Sequence, residues 1–247
     1  MTFRVVIPAR YASTRLPGKP LALAGGRTVI EHVCMRASES GAASVAVATD
    51  DERIAALVRG LGVNAVLTSP DHASGTDRIA EACDLLGYGA DEIVVNVQGD
   101  EPRMPGAVIR QVGAALAADA DAEIATACRP LLDGYQYRDP NVVKVICDAL
   151  GRALYFSRAP IPWDRDQPQA PRLAHVRRHL GIYAYRVRWL RTVARLAPSQ
   201  AEQMEQLEQL RALHHGARIR VVEACAEVGV GIDTAEDLAA FRRERGE

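Results

Sequence analysis

The chain has 247 residues and almost no net charge: 30 Lys and Arg stand against 31 Asp and Glu, a formal charge of -1. No overall positive field is available to hold nucleic acid or an anionic membrane, so any polyanion site must be local. Long hydrophobic runs are also missing. The apolar stretch 5–7 is stopped by Pro8, and no later run approaches the roughly 20 apolar residues that a membrane-spanning helix requires. Neither a signal segment nor a membrane anchor is expected. Cysteine is scarce and scattered: Cys34, Cys83, Cys128, Cys147 and Cys225 are odd in number and never spaced as C-x-x-C. That pattern argues against a disulfide framework and a thiolate zinc site, and points to a reducing cytoplasm. Lysine is rarest of the charged residues. Only Lys19 and Lys144 occur in a chain that otherwise uses arginine, so a compact point charge is expected to matter at both.

What is present is a long alternation. The spacing predicts strands over 3–9, 44–49, 63–68, 92–97 and 124–128, with helices over 28–37, 52–61, 77–86 and 105–118 between them. Near-continuous Val/Ile/Ala strands alternating with helices are the mark of an α/β fold with a mostly parallel central sheet covered by helices on both faces. From 139 the rhythm changes. Strand-like 142–147, 153–157 and 179–185 follow one another without helices, which predicts an antiparallel insertion or sheet extension. Between them 160–177 holds four prolines and reads as an extended, partly mobile loop that could act as a lid. Helices over 186–196, 199–215 and 234–245 and a strand over 219–223 complete the chain. With 48% hydrophobic residues and no repeat or linker, residues 1–247 read as one domain with an insertion at about 139–198.

Three segments carry chemistry. Directly after the first strand, 8–20 places Arg10, Ser13, Thr14, Arg15, Gly18 and Lys19 in one loop. Cations, hydroxyls and a glycine there suit a polyphosphate, at the strand end where parallel sheets bind ligands. The pattern is neither a Walker loop nor a dinucleotide fingerprint. The second segment, 95–102, ends an apolar strand in Gln98-Gly99-Asp100-Glu101. A carboxylate fixed there can hold Mg²⁺, which keeps waters and takes other ligands from phosphates. Asp100 is the first candidate ligand; Glu101 reads as part of a turn or helix start. The third, Gly229 to Thr234, brings glycines before Asp233, which is either the N-cap of the last helix or a second metal carboxylate. Two further groups, 71–78 and a cluster of Trp163-Asp164-Arg165, Arg178-His179 and Glu208-Gln209, suit a nucleobase and a polyol.

Taken together and in this order, these segments resemble the 3-deoxy-manno-octulosonate (KDO) cytidylyltransferases, or CMP-KDO synthetases, from Phe3 to about Leu238. Most specific are the opening Ile-Pro-Ala-Arg-Tyr-Ala-Ser-Thr-Arg-Leu-Pro-Gly-Lys-Pro, then 94–102, 153–165, 178–183 and 207–211. The resemblance implies a nucleotide-diphospho-sugar transferase fold, a homodimer assembled through the 139–198 region, the substrates CTP and KDO, Mg²⁺, and a role in supplying KDO to lipopolysaccharide. It implies that Arg10, Ser13, Arg15 and Lys19 hold the triphosphate, with Lys19, Arg10, Arg15 and Asp100 catalytic. Ser74, Gly75, Thr76 and Arg78 are implied around the cytidine, and Asp100 and Asp233 on the metal. Gln98, Arg165, His179, Tyr185, Glu208 and Gln209 are implied in the sugar pocket, Arg165 on the sugar's carboxylate. The chain departs from the family at Ala184, where Gly is common, and in a shorter loop after Asp166. A cytidylyltransferase for another acidic sugar such as sialic acid, and a non-catalytic nucleotide-binding regulator, are the competing readings.

Overall fold

The computed structural model describes residues 2–12, 16–72, 74–131 and 133–247. The first strand, β1 (Arg4–Ala9), is a β-branched run buried at every position but its first. A tight hairpin follows, β2 (Leu23–Ala24) and β3 (Arg27–Thr28), turned by Gly25 and Gly26 at φ 60° and 72°, the left-handed pair that a two-residue turn demands. The expected alternation comes next: α1 (Val29–Ser38), β4 (Val45–Thr49), α2 (Glu52–Gly60), β5 (Asn64–Leu67), α3 (Gly75–Leu85), β6 (Ile93–Asn96), α4 (Gly106–Ala118) and β7 (Ile124–Pro130). After a short α5 (Gly134–Arg138) come β8 (Lys144–Cys147), β9 (Ala153–Ser157) and β10 (Arg177–Arg186). The chain closes with α6 (Val187–Val193), α7 (Gln200–Glu205), α8 (Gln209–His214), β11 (Ile219–Glu223) and α9 (Ala235–Glu244). No helix among the described residues is long and apolar enough to cross a membrane.

Hydrogen bonding orders the main sheet β11-β7-β10-β6-β1-β4-β5, with the β8–β9 hairpin joined to β10. The β1–β4, β1–β6, β4–β5 and β7–β11 pairs are parallel, and those made by β10 are antiparallel. Apolar side chains of α1, α2 and α4 (Ile30, Val33, Ile54, Val58, Val108, Val112) fill one face, and those of α3, α6 and α8 (Ile79, Cys83, Leu190, Leu210) the other. The architecture is the α/β sheet expected, with one difference in detail. β10 belongs to the region read as an insertion, yet it lies between β6 and β7 in the middle of the sheet; only the β8–β9 hairpin extends outward.

The single helix expected over 199–215 is broken. Gln206 adopts φ 51° between α7 and α8, a left-handed conformation that costs a non-glycine residue about 1–2 kcal/mol. The neighbouring turn supplies the compensation. Glu205 accepts from Ser157 Oγ at 2.5 Å and Arg158 N at 2.8 Å, while Arg158 Nε donates to Glu205 O at 2.6 Å. Strand β9 thus captures the end of α7, and the chain restarts at Glu208 in a new direction.

Hydrogen bonds tie the proline-rich 160–177 segment to itself and to α5. Asp164 accepts from Arg172 N, Nε and Nη2 at 2.8–3.0 Å, contacts that hold its carboxyl well below the usual range. Tyr137 Oη donates to Pro162 O at 2.7 Å, and Arg138 donates to Pro168 O and Gln169 O.

Candidate active site

The strand order reverses at β1, which is flanked by β4 on one side and β6 on the other. Such a switch point opens a crevice beyond the strand ends. Pro8 helps to open it. The β1–β6 ladder stops at the Val6–Asn96 pair, so Pro8, which has no N–H to donate, follows the last bond instead of interrupting it. The chain leaving β6 then passes so close to β1 that a Cβ on Gly99 would meet Pro8 O at 2.7 Å. Only glycine fits there, and its tight passage delivers Asp100 to the crevice. Two cavities adjoin, sharing Gln98 as a common wall.

The first, about 370 Å³, is lined by Arg10, Lys19, Gly75, Gln98, Asp100 and Asp233. Lys19 Nζ donates to Asp100 Oδ2 and to Ile232 O, both at 2.7 Å, and lies 3.6 Å from Asp233 Oδ1. Two aspartates 133 residues apart in sequence thus converge on one cation position. Asp233 is not the cap of the last helix: Thr234 takes that duty, its Oγ1 accepting from Asp237 N at 3.2 Å. Two hard carboxylate ligands fit Mg²⁺. Among the described residues no group of three or more His, Cys, Asp or Glu could hold a metal, so a cation held by these two aspartates would need its remaining ligands from water and phosphate. Ser13 and Arg15 lie outside the described residues. Ser74 is the N-cap of α3, its Oγ accepting from Asp77 N at 3.1 Å, and Gly75 begins that helix at the cavity edge.

The second cavity, about 280 Å³, brings together Thr76, Gln98, Tyr185, Glu208 and Gln209, four of which were expected on the sugar. Glu208 reaches it because of the break at Gln206, and faces Ser74 Oγ at 3.5 Å. Burial pushes the Glu208 carboxyl up, partly offset by a hydrogen bond from Thr76, and burial pushes the Tyr185 phenol far up. Sequence reasoning missed four polar lining residues, Asn96, Glu101, Tyr183 and Trp189. Asn96, the last residue of β6, is buried, and among the described residues its Oδ1, Trp189 Nε1 and Glu101 Oε2 are buried without hydrogen-bond partners. Asn96 had a signal, a polar residue ending an apolar strand; Trp189, on a short helix, had none. Glu101 was read as a turn residue, yet it stands on the cavity wall, its carboxyl raised to about 7 by burial and then by the charges of Asp100 and Asp233.

Besides Ser74, three expected residues line neither cavity. Arg78 is fully buried and clamps the ends of β4 and β5, donating to Thr68 Oγ1 at 2.6 Å and Asp50 Oδ2 at 2.8 Å. Its charge is used on the strand ends, and it lines neither cavity. Arg165 is 91% exposed and its nearest anion is Asp166 at 3.3 Å. His179 lies behind the cavity wall, edge-on to Phe156 at 4.9 Å. Thr126 Oγ1 donates to Ile182 O at 2.7 Å, so His179 Nε2, 2.9 Å from the same oxygen, is the N–H donor. Together they pin the bulge between Leu180 and Tyr183 that turns Gly181 toward the cavity.

Burial lowers the His179 pKa from 6.5 to about 3. The unfolded chain therefore binds a proton between pH 6.5 and 3 that the folded chain refuses, and stability falls as pH drops through that window, by up to about 1.4 kcal/mol per pH unit. In H179Q that acid slope should be shallower when urea midpoints are compared at pH 7, 6 and 5. An unchanged slope removes His179 as its source.

A sequence profile described as "Cytidylyltransferase" matches residues 4–219. A protein of Idiomarina loihiensis is 51% identical over 252 residues, covering all of both chains, and one of Pseudomonas fluorescens is 53% identical over 246 residues, 98% of this chain and 97% of that one. Both are named 3-deoxy-manno-octulosonate cytidylyltransferase. A CMP:2-keto-3-deoxy-manno-octonic acid synthetase solved in complex with CTP superposes with a TM-score of 0.91 at 40% identity, over 100% of this chain and 99% of that one. A cytidylyltransferase of Leptospira borgpetersenii, 17% identical with a TM-score of 0.62, shares the fold.

Proposed function

The chain belongs to the cytidylyltransferase family, and from that premise we propose that it transfers CMP from CTP to the anomeric hydroxyl of KDO, releasing pyrophosphate. The observation that carries this reading is the meeting of Asp100 and Asp233 around Lys19, one wall away from a cavity lined by Tyr185, Glu208 and Gln209. An anionic nucleotide tail and a polyhydroxylated acceptor each have a compartment, and Gln98 stands between them.

Arg10 and Lys19, with Ser13 and Arg15 of the same loop, hold the triphosphate through charge-assisted hydrogen bonds of about 1.5–3 kcal/mol each. The start of α3, at Ser74, Gly75 and Thr76, faces the cytidine. Asp100 and Asp233 hold Mg²⁺. When bound, the ion neutralises charge on the phosphoryl oxygens and on the departing pyrophosphate. Tyr185, Glu208 and Gln209 bond the hydroxyls of KDO and, with Gln98, keep its anomeric oxygen in line with the α-phosphorus. Glu208 suits hydroxyls because burial favours its neutral form, which donates as well as accepts. Alignment of this kind converts an encounter of two substrates into a step within one complex, and no covalent enzyme intermediate is needed.

The enzyme acts in the cytoplasm as a homodimer, with the contact in the 139–198 region. Supporting this, β9 is an edge strand among the described residues, with Leu150, Leu154 and Tyr155 exposed on its hairpin, an apolar edge that soluble chains ordinarily cover. Competition between KDO and N-acetylneuraminate in a pyrophosphate-release assay tests the acceptor. KDO should be consumed in preference; preference for N-acetylneuraminate would move the protein to the sialate branch.

A further inference from the structure

We propose that Arg129 and Arg178 form an oxyanion-binding site near the carboxyl end of β7, taking a carboxylate or a phosphate group. Arg178 on β10 pairs directly with Arg129 on β7 and with Lys144 on β8. Directly paired positions put their side chains on one face of a sheet, so three cations stand in a row across three strands. Like charges placed so are destabilising unless something neutralises them. Lys144 is neutralised locally: its fully buried Nζ donates to Asp139 O, Val142 O and Arg158 O at 2.5–3.0 Å.

The two arginines are not. Among the described residues neither guanidinium has a hydrogen bond or an ion pair, both are partly buried, and Arg129 Nε is sealed from solvent with no acceptor. Arg178 feels Glu101 and Asp139 as attractive charges and Arg129 as a repulsive one. Glu101 lines the sugar cavity and adjoins Asp100, whereas neither arginine lines that cavity. Arg129 lies near the carboxyl end of β7, the edge where the sheet opens its crevice. Arginine stays charged whatever its burial, and two guanidinium forks side by side match the oxygens of a single oxyanion.

The carboxylate of a sugar acid and the phosphate of the released pyrophosphate share this chemistry. Which of them is the source rests on the function proposed above; the anion site itself does not. The test uses full-length wild type, R129Q and R178Q, each checked for cooperative melting, with calorimetric titrations of KDO and, separately, of pyrophosphate, and KM values for KDO and CTP. A KDO affinity at least tenfold weaker in R129Q, with the CTP KM within twofold of wild type, assigns the site to the sugar's carboxylate. A tenfold loss confined to pyrophosphate assigns it to the product. If R129Q and R178Q bind both ligands within twofold of wild type, the inference is overturned, and a raised melting temperature in R129Q would then mark the pair as simple repulsion. Should R178Q not fold, R129Q alone decides. The titrations need no turnover, so a wild type that makes no CMP-KDO refutes the proposed function while the anion site is still read.

Discussion

D100N should lose turnover by about 10³-fold while binding CTP almost as tightly as wild type. Asparagine keeps the shape of aspartate and can still accept from Lys19 Nζ, now 2.7 Å from Asp100 Oδ2, so the loop after Gly99 has no reason to move. What disappears is one of the two negative charges proposed to draw a divalent cation to the phosphoryl centre, an interaction worth several kcal/mol in the transition state, and each 1.36 kcal/mol is tenfold in rate. Steady-state assays at saturating Mg²⁺, paired with calorimetric CTP titrations, separate the two effects. Full turnover in D100N removes Asp100 from the chemistry.

The second large effect is expected from K19A. Its ammonium is 10% exposed and bonds Asp100 and Ile232 O while facing Asp233. Truncation leaves two aspartates and the buried Glu101 without the cation that separates them. Breaking a buried pair costs about 3–5 kcal/mol, less here because Asp100 and Asp233 retain 34% and 49% exposure. A lowered melting temperature, partly restored by divalent cation, is expected. In the assay kcat/KM for CTP should fall about 10–150-fold, from the loss of one charge-assisted bond of about 1.5–3 kcal/mol, with a smaller change in KM for KDO. A larger change on the KDO side would place Lys19 with the sugar.

The legible part of the fold was the part with a period. Near-continuous apolar strands and amphipathic helices up to 130 announce themselves, and the carboxylates at 100 and 233 stand out because each follows a glycine-bearing strand or loop end. The break between α7 and α8 was invisible. No glycine marks Gln206, and the helix yields to contacts from Ser157 and Arg158, nearly fifty residues away. The central position of β10 was hidden for a similar reason, since sequence order says nothing of which strand an antiparallel segment enters between. His179 and Arg78 show the limit at side-chain level. Polar residues within a motif read alike whether they face a ligand or, as here, pin a bulge and a pair of strand ends.

One measurement bears most directly on the whole. The purified chain is given CTP, Mg²⁺ and a panel of acidic sugars, and the product is identified by mass spectrometry. CMP-KDO formed with stoichiometric pyrophosphate is the expected result. CTP bound without pyrophosphate release, or a CMP conjugate of a different sugar made in preference to that of KDO, would contradict it.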